Sequence, residues 1–174
     1  CFLELELKAD VVFIGLPNAG KSSMLNLLTN SKSKVAPYPF TTLEPYLGVM
    51  DNIKLMDLPG LIEGTSQGKG LGSNFARHAK NTKLVAHFLS LDSENLKADY
   101  DLIIKELASI DEELLKIPEI LILTKSDNYG SEEIAQKIDI VKKFHNKFIV
   151  VSIIDDDSIL NLRDLILKTY ENLH

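Results

Sequence analysis

Short apolar runs alternate along the chain with longer segments whose apolar positions recur at helical spacing, the rhythm of an α/β fold. The runs are VVFIG at 11–15, YLGVM at 46–50, IKLMD at 53–57, LVAHFLS at 84–90, EILILT at 119–124 and FIVVS within 147–152. They predict six strands. Helices are predicted at about 20–29, 71–81, 95–116, 131–144 and 158–172, the last two opened by Ser131 and Ser158, whose hydroxyls suit capping of exposed N–H groups. Asp51 and Asn52 alone separate the second and third strands, which predicts a hairpin; the remaining connections carry helices, which predicts parallel pairing. The expectation is a mostly parallel six-stranded sheet flanked by about five helices. In such sheets ligands sit at the carboxyl ends of the strands.

Composition narrows the class. With 174 residues, 45% hydrophobic and 25% charged, the chain reads as one globular domain spanning 1–174. No window holds the roughly 18 uncharged apolar residues of a membrane helix, and the start, CFLELELKAD, alternates apolar with charged positions. A cytoplasmic protein with no membrane partner is expected. Cys1 is the single cysteine, so an intrachain disulfide is excluded and a terminal thiol is read as incidental. A net charge of −6 argues against bulk attraction to nucleic acid.

Chemistry enters with GLPNAGKS, which is Gly15, Leu16, Pro17, Asn18, Ala19, Gly20, Lys21 and Ser22. This fits G-x-x-x-x-G-K-[ST] between a strand and a helix, the context a phosphate-binding loop requires. Gly15 and Gly20 let the backbone curl so that N–H groups point inward, and the following helix adds the positive end of its dipole. Lys21 is expected on the β- and γ-phosphates, and Ser22 on a bridging Mg²⁺.

Next in order comes DLPG, with Asp57, Leu58, Pro59 and Gly60. A carboxylate closing the third strand can hold Mg²⁺ through water, and Gly60 offers its N–H to the γ-phosphate. EGTSQGKGLG, with glycines at 64, 68, 70 and 72, suits a segment ordered by that phosphate. TKSD, from Thr124 through Lys125 and Ser126 to Asp127, follows ILILT. Asp127 can accept from a guanine's N1–H and exocyclic amine, a donor pair adenine lacks, while the Lys125 stem packs on the base. In PYPFTTLEPYLG, one of Thr41 and Thr42 could bring its hydroxyl to Mg²⁺ and its N–H to the γ-phosphate.

Together, GLPNAGKSS, YPFTTLEPYLGV, DLPGLIEGTSQGKGLGSNFARH and TKSD resemble the G domain of the Obg family of translation-factor-class GTPases, from about Leu5 to Tyr170. The resemblance implies a P-loop NTPase of Ras-like fold that binds GTP and GDP with Mg²⁺ and hydrolyses GTP. The metal would be held by Ser22, Thr42 and, through water, Asp57. Nucleotide contacts would come from Gly15 to Ser22, from Phe40, Thr41, Thr42, Leu43 and Glu44, from Asp57 to Gly60, from Thr124 to Asp127, and from Ser152, Ile153 and Ile154. Lys21, Thr42 and Gly60 would act on the γ-phosphate. A role in ribosome assembly is implied, with the large ribosomal subunit as partner through domains outside this chain; a monomer is expected, and 1–9 resembles a linker after an N-terminal domain.

Two positions depart from the family. Thr124 replaces an asparagine, which predicts looser bonding between base loop and phosphate loop. Ile153 stands where the family has a small residue beside the purine. An ATP-preferring relative lacks the base-motif aspartate, so Asp127 speaks against an ATPase.

Leu61 follows Gly60 where Ras-like enzymes carry the glutamine that orients the attacking water. A leucine cannot do so, which predicts slow hydrolysis. Several similar enzymes with a hydrophobic residue there use potassium, and the Asn18 carbonyl is the candidate K⁺ ligand; its other reading is a turn-favouring residue. Arginine occurs only at 77 and 163, and Arg77 is the one candidate for an internal arginine finger. The alternative function is a nucleotide sensor that binds GDP or GTP and recruits partners with negligible turnover. Asp155, Asp156 and Asp157 suit a helix N-terminus, and His78 and His87 lack metal-ligand spacing.

Overall fold

The computed structural model describes residues 9–29, 34–35, 46–57, 79 and 81–173. Seven strands lie among them: β1 (Val11–Gly15), β2 (Lys34–Val35), β3 (Tyr46–Met50), β4 (Ile53–Asp57), β5 (Leu84–Ser90), β6 (Glu119–Thr124) and β7 (Phe148–Val150). They form one sheet in the order β2-β3-β4-β1-β5-β6-β7. β1 pairs in parallel with β4 and β5, β5 with β6, and β6 with β7, while β3 is antiparallel to β4 and to β2. The six predicted strands are therefore present, and the two-residue edge strand β2 is an addition that so short a segment did not reveal. The predicted hairpin is real: Asp51 and Asn52 both adopt positive φ, 46° and 71°, the conformation a tight two-residue turn demands. Asp51 also pairs with Arg163.

Four α-helices are described: α1 (Lys21–Thr29), α2 (Leu96–Ile110), α3 (Ser131–Lys142) and α4 (Asp156–Glu171). The helix expected over 71–81 lies outside the described residues except at its last positions. The segment expected as one helix over 95–116 is two. Asp111 is extended, with φ −163° and ψ 121°, and its carboxylate caps a short 3₁₀ turn at Glu112–Lys116. Asp111 side-chain bonding to a neighbouring N–H competes with helix continuation, a preference that apolar periodicity does not register.

The serine caps also need correction. Gly130 precedes α3 without a side-chain cap, and Asp155 caps α4 by accepting from the Asp157 N–H, with Asp156 and Asp157 in the first turn as the helix dipole favours. Ser158 instead fastens the preceding loop, accepting from the Ser152 N–H at 3.0 Å and donating to the Asp155 carbonyl at 2.8 Å.

β1 is buried along its whole length, as expected for a central strand covered on both faces. Val11 and Phe13 point to a core shared with Met24, Leu25 and Leu28 of α1 and Ile159, Leu162 and Ile166 of α4. Val12 and Ile14 point oppositely, to a core shared with Ile103 and Leu107 of α2. Leu121 and Leu123 of β6 pack with Val141 of α3 on that side. The alternation along β1 thus assigns α1 and α4 to one face, and α2 and α3 to the other. Among the described residues no helix is long and apolar enough to cross a membrane.

Candidate nucleotide-binding site

The turn from β1 into α1 is fixed by two glycines for different reasons. A Cβ on Gly15 would lie 2.5 Å from the Phe88 carbonyl oxygen of the adjacent strand, closer than any side chain allows; Gly20 has φ +91°. Asn18 is also left-handed, at φ 64°, which asparagine tolerates better than most residues. It is exposed. The Ala19 N–H donates to the Leu16 carbonyl at 3.2 Å, and the Met24 N–H to the Gly20 carbonyl at 3.0 Å, so loop and first helical turn are continuous.

Lys21 is buried at 9% exposure and its Nζ donates to the carbonyls of Gly15 and Leu16, at 2.8 and 3.1 Å. The ammonium is curled over its own loop, held by carbonyl groups at the place where phosphate oxygens are expected. Ser22 Oγ donates to Asp57 Oδ2 at 2.7 Å, joining the loop to the end of β4. Asp57 is 1% exposed, and its Oδ1 is buried with no hydrogen-bond partner among the described residues. Burial pushes the Asp57 carboxyl above its usual value, against the opposing pull of the Ser22 hydroxyl and the Lys21 charge. A hydroxyl beside a buried carboxylate with an orphaned oxygen is a hard-oxygen donor set, and it fits a small divalent cation.

On the base side, Thr124 keeps the connection its departure had put in question. Its Oγ1 donates to the Ala19 carbonyl at 2.7 Å, both groups buried, so threonine's hydroxyl makes a cross-loop bond. Lys125 sits at φ 64° and its Nζ lies 3.2 Å from Asp92 Oδ2. Ser126 Oγ donates to the Val151 carbonyl at 3.1 Å. Ser152 Oγ donates to Asp127 Oδ1 at 2.7 Å and accepts from the Ile154 N–H at 3.2 Å, so the loop after β7 orients the Asp127 carboxylate. Ile153 and Ile154 are 48% and 76% exposed, and Ile153 faces the cavity without filling it.

That cavity has a volume of about 550 Å³ and is lined from end to end by Asn18, Gly20, Lys21 and Ser22 on the phosphate side and by Thr124, Lys125, Asp127 and Ile153 on the base side. Asp92 and Asn128 also line it, and sequence reasoning passed over both. Asp92 stands two residues beyond β5, where a search just past each strand end would have found it. Phe40 to Glu44, Leu58 to Gly60, Leu61, the glycine-rich stretch, Arg77 and His78 lie outside the described residues. Arg163 is on α4, paired with Asp51. His87 is buried with its Nδ1 2.7 Å from Glu119 Oε1, a structural setting.

A G-x-x-x-x-G-K-S loop, a buried carboxylate bonded to its serine and a second aspartate converging at the carboxyl ends of one mostly parallel sheet define a P-loop domain. Comparison with known proteins agrees. The family described as "50S ribosome-binding GTPase" matches residues 10–125. GTPase Obg of Anaplasma phagocytophilum (strain HZ) is 41% identical over 99% of this chain and 49% of its own length; GTPase Obg of Persephonella marina is 37% identical over 98% of this chain and 53% of its own. Among solved structures, the G domain of the T. maritima FeoB iron transporter matches with TM-score 0.61 and 24% identity, over 94% of this chain and 99% of that one. The cytosolic domain of the same transporter in its GMPPNP form matches with TM-score 0.64 and 26% identity, over 93% and 64%. The chain belongs to the Obg family of GTPases. It spans about half the length of the curated relatives it matches.

Proposed function

We propose that this chain binds GTP and GDP with Mg²⁺ and hydrolyses GTP slowly, as the switch domain of a protein acting in ribosome assembly. The observation that carries the reading is that Ser22, bonded to the buried Asp57, and Asp127, oriented by Ser152, open onto one cavity of about 550 Å³. Carboxylate at the base end selects guanine. Phosphates meet the loop N–H groups, the start of α1 and the Lys21 ammonium, which exchanges two carbonyl partners for phosphate oxygens. The chemistry Mg²⁺ would supply there is neutralisation of phosphate charge. Ser22, Thr42 and, through water, Asp57 would hold it; the N–H groups of Thr42 and Gly60 would meet the γ-phosphate.

Leu61 has no group with which to orient a water, so hydrolysis without help is slow. Asn18, exposed at the cavity wall, is the residue we assign to a K⁺ that would offset charge developing on the leaving oxygens. The large ribosomal subunit is the proposed partner, met through parts of the protein outside this chain, with the domain monomeric and cytoplasmic.

Competition for fluorescently labelled GDP tests the nucleotide. GTP and GDP should displace it in the presence of Mg²⁺ and ATP should not; displacement by ATP at equal concentration would reject the guanine reading.

A further inference from the structure

Asp92 gathers three side chains from one turn. Its Oδ1 accepts from Asn128 Nδ2 at 3.1 Å and from Tyr129 Oη at 3.0 Å, and its Oδ2 lies 3.2 Å from Lys125 Nζ. The three donors bracket Asp127, the residue assigned to the guanine edge.

The carboxylate is itself held in place. The Leu91 N–H donates to the Thr124 carbonyl at 3.0 Å, and the Asp92 N–H to Ser90 Oγ at 3.2 Å. From α3, Lys137 Nζ donates to the Leu91 carbonyl at 2.7 Å while standing over the Tyr129 ring, 4.7 Å from its centroid. The turn after β5 is therefore tied to β6, to α3 and to the base-side turn. The need for such a tie is visible in the backbone: Lys125 is a non-glycine residue at positive φ, a conformation that neighbouring contacts must maintain.

We propose that Asp92 is a specificity-positioning residue: by anchoring Lys125, Asn128 and Tyr129 it holds Asp127 at the angle needed to take both guanine donors at once. This rests on the guanine-nucleotide reading above. In this role Asp92 acts through the turn, by holding Lys125, Asn128 and Tyr129. Guanine presents two donors to Asp127, whereas hypoxanthine presents only N1–H, so the difference between GDP and IDP isolates the second bond. A turn released from Asp92 loses that second bond first, because a bidentate contact tolerates less displacement than a single one.

The test is calorimetric titration of GDP, IDP and ADP into the wild-type chain, Asp92→Ala, Asp92→Asn and Tyr129→Phe, with the melting temperature of each. Asp92→Ala should reduce the preference for GDP over IDP roughly three- to tenfold, the loss of about one net hydrogen bond. Asp92→Asn, which keeps an acceptor for Asn128 and Tyr129, should retain most of the preference, and Tyr129→Phe should fall between. An unchanged preference in Asp92→Ala overturns the proposal, as does a parallel loss of GDP and IDP affinity with a lowered melting temperature, which is the mark of a merely structural residue. A wild-type chain with no preference for GDP over ADP overturns the guanine reading and this one with it.

Discussion

The Thr124 hydroxyl donates to the Ala19 carbonyl at 2.7 Å across 105 residues of sequence, both groups buried. One bond thereby joins the turn assigned to the base to the loop assigned to the phosphates. Replacing Thr124 with valine keeps the shape and leaves the Ala19 carbonyl unpaired, at a cost of about 1–3 kcal/mol. Thr124→Val should lower GDP affinity at least roughly fivefold, and Thr124→Ser should restore most of it. Titration of the two variants side by side checks this. Equal affinities would mean the bond does not couple the loops.

Asp57 gives a pH dependence of opposite sign to that of most carboxylates. Its carboxyl is raised above 3.8 in the fold, so folding favours the protonated form. The stability this contributes is present below 3.8 and is lost as pH rises through the folded value. The nucleotide-free chain at neutral pH therefore holds an unfavourable buried charge. Asp57→Asn should melt at a higher temperature than wild type without nucleotide at pH 7, while the Mg²⁺ dependence of its GTP affinity falls at least roughly tenfold. Melting curves with and without Mg²⁺ and GTP check both halves. A destabilised free variant would show that the charge is already compensated.

Glu119 behaves in the usual direction. Burial raises its carboxyl, but His145 Nε2, 3.7 Å from Oε2, and the hydrogen bond with His87 outweigh this and hold it at about 2. Tyr100 Oη donates to the same carboxylate at 3.2 Å. The stabilisation, on the order of 3 kcal/mol for the displacement from 4.5 to about 2, is present above 4.5 and lost as pH falls toward 2. Glu119→Gln should lower the urea midpoint at pH 6 and flatten its fall between pH 5 and pH 3. A parallel fall in both proteins would remove the cluster from the acid response.

Much of this fold was legible because apolar periodicity and strand-end chemistry agree: the run LVAHFLS became a strand over those same residues, and Asp51-Asn52 became the hairpin turn. What was missed has local causes. The break at Asp111 and the cap at Asp155 depend on one side chain bonding its own neighbourhood, which outweighs helical pattern over a few residues. Ser158 looked like a cap and serves as a loop fastener because Asp155 reaches the free N–H first. Asp92 carries no motif. Its importance arises from three donors that only the packing of β5 beside β6 brings within reach.

Asn18 combines a left-handed backbone with a side chain at the cavity wall, so a loop role and an ion role make different predictions. Asn18→Gly tolerates the backbone and removes the carbonyl. It should bind GDP within about threefold of wild type yet lose any acceleration of GTP hydrolysis by K⁺ over Na⁺. Retained acceleration would reject Asn18 as the ligand.

The most direct measurement is phosphate release from GTP by the purified chain, with and without Mg²⁺, in KCl and in NaCl at equal ionic strength. Release that requires Mg²⁺ and runs faster in KCl is the predicted result, and it makes the domain a self-contained cation-assisted GTPase. Tight GDP binding with no Mg²⁺-dependent release in either salt would contradict it, leaving a nucleotide sensor whose attacking water must be ordered from outside the chain.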